Sequence, residues 1–112
     1  MLPLIAKKIL GFERYTINTI GEIYGPDNKL KIVHKHHKDK YLYVKLRKNG
    51  KRFYKAIHRL MAITFLGLKR QGLEVRHLDG NRYNNKLENL SYGTREENLL
   101  DDIKHGKILK RV

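Results

Sequence analysis

The stretch VRHLDGNRYNNKLENLSYGT, residues 75–94, has a short run ending in His77, an Asp79-Gly80 turn, then four asparagines between positions 81 and 89. One or two Asn are ordinary in a turn, because the side chain hydrogen-bonds nearby backbone and tolerates left-handed conformations. Four after a histidine point to a site. His77 ends a strand expected over 73–77, and 89–92 reads as the return strand of a long-looped hairpin. Thr94 with Glu97 is a capping box, so a helix is expected from Arg95 to about His105, ended by Gly106. Leu99 and Ile103 are expected to pack inward, while Asn98, Asp102 and His105 share another face.

Upstream, HRLMAITFLG (58–67) predicts a core helix, apolar at Leu60, Met61, Ala62, Ile63, Phe65 and Leu66 and closed by Gly67. His58 and Arg59 stand at its start, where unsatisfied N–H groups can receive a phosphate; His58 has a purely structural role as its alternative. Before it, YLYVKLRKNGKRFYKAIH (41–58) carries Asn49-Gly50 between alternating runs, a strong hairpin signal. A two-residue turn there sets Lys48 opposite Lys51, Arg47 opposite Arg52, Leu46 opposite Phe53, Lys45 opposite Tyr54 and Leu42 opposite Ile57. One face, Leu42, Val44, Leu46, Phe53 and Ile57, is core; the other carries Tyr41, Tyr43, Lys45, Arg47, Arg52 and Tyr54. Like charges facing each other cost stability, so this second face reads either as a solvated surface or as a contact for phosphate.

GFERYTINTIGEIYG (11–25) reads as short strands around a turn near Gly21, and Pro26-Asp27-Asn28 as a second turn. KIVHKHHKDK (31–40) holds three of the six histidines, but the adjacent lysines would repel a cation, so it reads as a basic loop or edge strand.

The 112 residues suit one compact domain, 1–112, with a β-rich part over 9–57 and a second part over 58–106. Lys and Arg number 25 against 11 Asp and Glu, a formal net charge of +14, which favours a polyanionic partner and tips the cationic hairpin face toward phosphate. There is no cysteine, hence no disulfide framework and no thiolate metal site, in keeping with a reducing cytoplasm. The first ten residues lack the pattern of a secretory leader, and no stretch approaches the roughly 20 apolar residues of a membrane span. The expectation is a cytoplasmic protein without a membrane partner.

The ordered elements HRLMAITFLG, VRHLDGNRYNNKLENLSYGT, then EN and HG resemble the HNH endonucleases of phages and homing elements, the ββα-metal nuclease group. The upstream ILGFERYTINTIGEIYG is similar to the small N-terminal module that often precedes that motif. The resemblance implies an α+β fold: small antiparallel hairpins and a core helix followed by the ββα-metal motif, with no helical DNA-binding extension expected after Gly106. It also implies that His77 is the general base activating water for attack on a DNA phosphodiester, a task suited to a pKa near 6.5. Asn89 matches the asparagine that orients this histidine and supports the loop, and Asn98 matches the helix residue that binds metal. The implied cofactor is a divalent cation, Mg²⁺ first and Mn²⁺ second. Asn81, Asn84 and Asn85 are then expected to form the loop rather than act in catalysis.

One departure matters. Many members hold an acidic metal ligand just before the histidine, where this chain has Arg76. A guanidinium cannot coordinate a metal, though it can clamp a phosphate. Asp102, one helical turn after Asn98, can supply the missing carboxylate, with His105 a further candidate; the ordinary alternatives are a solvated aspartate and a histidine favoured by the helix dipole. Two functions follow: a metal-dependent DNA endonuclease, nicking as a monomer or cutting both strands as a homodimer, or a catalytically degenerate DNA-binding protein on the same scaffold. In both, Lys45, Arg47, Arg52, Tyr54, Arg59 and Arg76 are the expected contacts to double-stranded DNA.

Overall fold

Asn49 and Gly50 both adopt positive φ, 52° and 73°, the combination that lets a two-residue turn follow the twist of its flanking strands. In the computed structural model, which describes residues 2–107, this turn joins β5 (Leu42–Lys48) to β6 (Lys51–Ala56). The register is Lys48 with Lys51, Arg47 with Arg52, Leu46 with Phe53 and Lys45 with Tyr54, as the alternation requires. Val44 and Leu46 are fully buried, whereas Arg47 and Arg52 are exposed. The expected pairing of Leu42 with Ile57 does not form: the ladder ends at Tyr43 with Ala56, and Ile57 already belongs to the following helix. Leu42 pairs instead with Lys35 of β4 (Val33–Lys35), an edge strand drawn from the histidine-rich stretch.

The preceding sheet contains β1 (Ala6–Ile9), β2 (Phe12–Asn18) and β3 (Ile23–Tyr24). The turn near Gly21 is present, with Gly21 at φ 89° and the Asn18 side-chain oxygen accepting from the Ile20 and Glu22 amides. Strand β1 carries no alternation that would mark it in the sequence, because Ile9 is its one buried residue.

Helix α1 (Ile57–Phe65) follows β6 with no loop. Its N-cap, Ala56, makes no capping bond, so packing rather than capping fixes where the helix begins. Ile57, Leu60, Met61 and Ala62 are buried, and the helix touches β1, β5, β6, and the later strands β7 (Leu73–His77) and β8 (Leu90–Thr94). Together with Ile9, Tyr15, Ile17, Ile23, Val44, Leu46 and Leu90 it makes one core. Leu66, the C-cap, is followed by Gly67 at φ 92°, a left-handed position that ends the helix.

β7 and β8 pair antiparallel with His77 opposite Leu90. Asn89 is the last residue of a short 3-10 turn, Leu87–Asn89, so the return strand begins one residue later than expected. Thr94 and Glu97 form the expected capping box on α2 (Arg95–Lys104). The inward packing expected of Leu99 does not occur: it is 47 % exposed, and Ile103 is half-buried. The reason is polar. Asn98 donates to Glu74 Oε1 (2.9 Å) and Val75 O (3.4 Å), and Asp101 pairs with Arg76, which fixes the helix's rotation and turns Leu99 and Leu100 outward. Among the described residues no helix is long and apolar enough to cross a membrane.

Because Met61 is fully buried in the helix that all three sheets touch, Met61→Ala should cost about 2–5 kcal/mol. The check is the urea unfolding midpoint, with one transition retained.

Candidate active site

Strand alternation sends Glu74 and Arg76 to the α2 side of β7, and Val75 and His77 to the α1 side. His77 is buried at the end of its strand, and its Nε2 lies 2.8 Å from the Asn85 side-chain oxygen. An amide oxygen only accepts, so Nε2 carries the proton and Nδ1 keeps its lone pair. Burial pushes the ring below the ordinary histidine value, against the opposing effect of the Asn85 bond. The imidazole is therefore neutral at pH 7, the form a base requires.

The amides have separate tasks. Asn89 binds Asp79 at both ends: its oxygen accepts from the Asp79 amide (2.9 Å), and its nitrogen donates to Asp79 Oδ1 (2.9 Å) and to Asn84 O (2.8 Å). Asn84 donates to Asp79 Oδ2 at 2.7 Å, and the Asn81 amide to Oδ1 at 2.8 Å. Partial burial raises the Asp79 pKa, but these donors outweigh it and hold the carboxyl below its ordinary value. Asp79 is thus the anionic hub of the loop, with Asn89 its main strut, while the residue touching His77 is Asn85. Asn85 is in turn backed by the N-terminal sheet. The Leu87 amide donates to Thr19 O at 2.8 Å, and a Cβ on Gly21 would meet Asn85 O at 3.3 Å.

A cavity of about 230 Å³ opens beside His77, lined also by Tyr41, Glu74, Arg82, Asn98 and Asp102. The structure thereby gathers His77, Asn98 and Asp102, while Asn89 lies beneath the loop. Arg59, exposed on α1, borders a neighbouring cavity that Asn98 shares. Lys45, Arg47, Arg52 and Tyr54 occupy the outer face of β5–β6 and line neither cavity.

Arg76 does not face the cavity as a free cation. Its Nε and Nη2 donate to Asp101 Oδ2 (2.7 Å) and Oδ1 (3.0 Å), and its Nη1 lies 3.6 Å from Glu97 Oε2. Its stem crosses Gly93, where a Cβ would come within 2.2 Å of Arg76 Cδ. The Arg76 guanidinium holds the Asp101 carboxyl below the ordinary carboxylate range. His105 is likewise engaged: its ring Nε2 donates to Leu78 O (3.2 Å) and the ring packs under Gly80.

Among the described residues no group of three or more His, Cys, Asp or Glu is disposed to hold a metal. The cavity does offer oxygen donors: the Asn98 amide oxygen and the carboxylate of Asp102, the latter 4.0 Å from Lys107 Nζ. That set fits Mg²⁺, which keeps several waters and is commonly held by one or two protein oxygens plus substrate phosphates.

His58 is the residue whose importance the sequence understated. It is 5 % exposed, stacked 4.4 Å from the Tyr41 ring and tilted at 5.3 Å from the His77 ring, and its Nδ1 has no hydrogen-bond partner among the described residues. Burial first, then the neighbouring His77 and Arg59, push its pKa down to about 3.

The ion pair and the buried histidine can each be tested by unfolding. Asp101→Asn, which keeps the shape but removes the charge facing Arg76, should cost about 1.5–3 kcal/mol, read as a lower urea midpoint that Mg²⁺ does not restore. A histidine whose folded pKa lies below its unfolded value stabilises the fold above the unfolded value, near 6.5, and that stability falls away as pH drops toward the folded value. Between pH 6.5 and 4.5 the wild type should therefore lose about 1.4 kcal/mol per pH unit through His58, and His58→Phe should flatten this slope in urea titrations.

Residues 55–100 match the family model for HNH endonuclease. The DNA endonuclease I-HmuI of Bacillus phage SP01 is 35% identical over 103 residues, which cover 91% of this chain and 59% of that protein. Two uncharacterised HNH endonucleases of Acanthamoeba polyphaga mimivirus are 30% and 32% identical, over 80% and 77% of this chain and 27% and 22% of theirs. A solved structure of the HNH homing endonuclease I-HmuI, concerned with its DNA binding and cleavage, superposes with a TM-score of 0.83 and 33% identity, covering 95% of this chain and 62% of that one. The chain thus spans about three-fifths of the length of I-HmuI. The segment 55–100 thus matches the HNH endonuclease family, and the chain is similar to I-HmuI in sequence and fold along most of its own length.

Proposed function

We propose that this chain is a metal-dependent DNA endonuclease in which His77 is the general base for hydrolysis of a phosphodiester bond. The observation that carries the reading is His77 Nε2 bonded to Asn85 at 2.8 Å beside a cavity shared with Asn98 and Asp102. Nδ1 takes the proton of a water as that water attacks phosphorus, and the bond to Asn85 keeps the ring in the tautomer that can do so. Asn89 acts one step back, holding the Asp79-centred loop that carries Asn85. Asn98 and Asp102 would hold the cation, Mg²⁺ or Mn²⁺, which when bound neutralises charge on the phosphate and the leaving oxygen. Lys45, Arg47, Arg52 and Tyr54 on the hairpin face, with Arg59 on α1, meet the phosphates of double-stranded DNA. One such site cuts one strand, so a monomer nicks and a homodimer cuts both.

A second reading has one observation in its favour. Arg76 occupies the position just before the histidine and is held by two carboxylates of α2, which suits a degenerate nuclease that binds DNA without cutting it. A plasmid assay separates the two. Conversion of supercoiled to open-circular DNA with Mg²⁺ or Mn²⁺, abolished by EDTA and reduced about 10²- to 10⁴-fold in His77→Ala, is expected of the nuclease, with Asp102→Asn raising the Mg²⁺ concentration needed. A folded wild type that binds several duplexes and nicks none of them would establish the binder instead.

A further inference from the structure

The histidine- and lysine-rich stretch before β5 and the loop after His77 lie side by side, and three contacts join them. Arg82 donates from Nη1 to Asp39 O at 2.9 Å, its guanidinium lies 5.0 Å over the Tyr41 ring, and Lys35 Nζ sits 4.8 Å over the Tyr83 ring. Between the loops is a cleft of about 470 Å³ whose charged lining residues are Lys38, Lys40, Arg82 and Lys107, with Tyr83 on its wall. Among the described residues no acidic side chain lines it. Asp39, the nearest carboxylate in sequence, is engaged by the Tyr43 hydroxyl and the Tyr41 amide. Lys40 reaches the cleft from a left-handed backbone position, φ 60°, a conformation a lysine rarely adopts and that the surrounding loop must impose. The cleft is continuous with the His77 cavity, since Gly80, Arg82 and Lys107 line both.

Lys38, Lys40 and Arg82 in one concave site repel one another until an anion enters it, while Lys107, 4.0 Å from Asp102, has its charge partly met within the protein. A cleft of about 470 Å³ whose cations come from three separate segments, 38–40, 82 and 107, suits a chain of phosphates rather than a single one. The exposed Tyr83 ring offers a flat apolar surface for a sugar or a base. Resting on the endonuclease reading above, we propose that the sugar-phosphate backbone of the strand being cut leaves the His77 cavity through this cleft, held by Lys38, Lys40, Arg82 and Lys107. The hairpin face of β5–β6 then engages another part of the duplex. Arg82 borders the cavity and the cleft together and takes the phosphate next to the one under attack, the duty for which Arg76 is unavailable.

Lys38 and Lys40 are exposed, so Lys38→Gln/Lys40→Gln should leave the thermal midpoint unchanged. Binding is measured without metal by fluorescence anisotropy of a labelled duplex across a salt series, in the wild type and this variant. Each phosphate that the variant no longer neutralises should make the log–log salt slope shallower by about 0.9, so a change of roughly 1–2 is expected. In the nicking assay KM should rise about tenfold or more while kcat at saturating DNA stays within about threefold; Arg82→Gln should lower kcat as well. Methylphosphonates placed within three positions of the mapped nick should weaken wild-type binding and barely affect the variant. Unchanged salt slope and KM in the double variant, in a wild type that nicks, would overturn the cleft and leave the nuclease reading standing. A wild type that binds but does not nick, with the slope reduced by the same substitutions, would support the cleft as a phosphate site and overturn the nuclease reading.

Discussion

Everything in this fold leans on the burial of α1. The helix follows β6 without a loop and touches strands of all three sheets, so its position fixes how they stand against one another. Its start is set by the core, since Ile57 is buried and no side chain caps it. The effect reaches beyond the core: His58, the next residue, is carried inward with Ile57 and comes to rest against Tyr41 and His77. A buried imidazole lacking a partner for one nitrogen is a cost to the fold. It is stable there only while neutral, and neutrality behind His77 adds no second positive charge to the site.

The same economy of charge explains the amides. A carboxylate bonded to His77 would favour the imidazolium and hold a proton on the ring. Asn85 gives the same directional bond without a charge. The loop's anion, Asp79, is instead saturated by donors from Asn81, Asn84 and Asn89, which confines its influence. Asn85 is backed by Gly21, and Leu87 close by is bonded to Thr19, so the β2–β3 turn braces the loop beside His77 whatever else it touches.

Much of this was legible in the sequence where the cause is local. Asn49-Gly50 dictates its own turn, and Thr94 with Glu97 forms its own cap, so the β5–β6 register and the start of α2 could be read directly. Where the outcome depends on distant partners the sequence was silent. Nothing distinguishes Asn85 from Asn84 in the chain, yet one reaches His77 and the other Asp79. The rotation of α2 is set by Glu74 and Arg76, which is why the apolar Leu99 faces outward. A trace of this was available: Glu97 and Asp101 stand four residues apart on the face that also holds Asn98, an acidic stripe suited to a cation on the facing strand.

That cation changes what holds the motif together. In the ββα-metal arrangement a strand carboxylate and a helix side chain share a metal, which ties strand to helix. Here the tie is made by the chain's own ion pair, Arg76 with Asp101, in which a fork of two donors meets both oxygens of one carboxylate. The pair is only partly exposed, 22% and 16%, so it is less screened than a surface bridge. Because the pair already fixes β7 against α2, a cation held by Asn98 and Asp102, as proposed, would have no structural duty and could be gathered with the substrate. Under the proposed reading such a site would be completed by the strand it acts on, and the position of that strand would be as decisive as the protein ligands themselves.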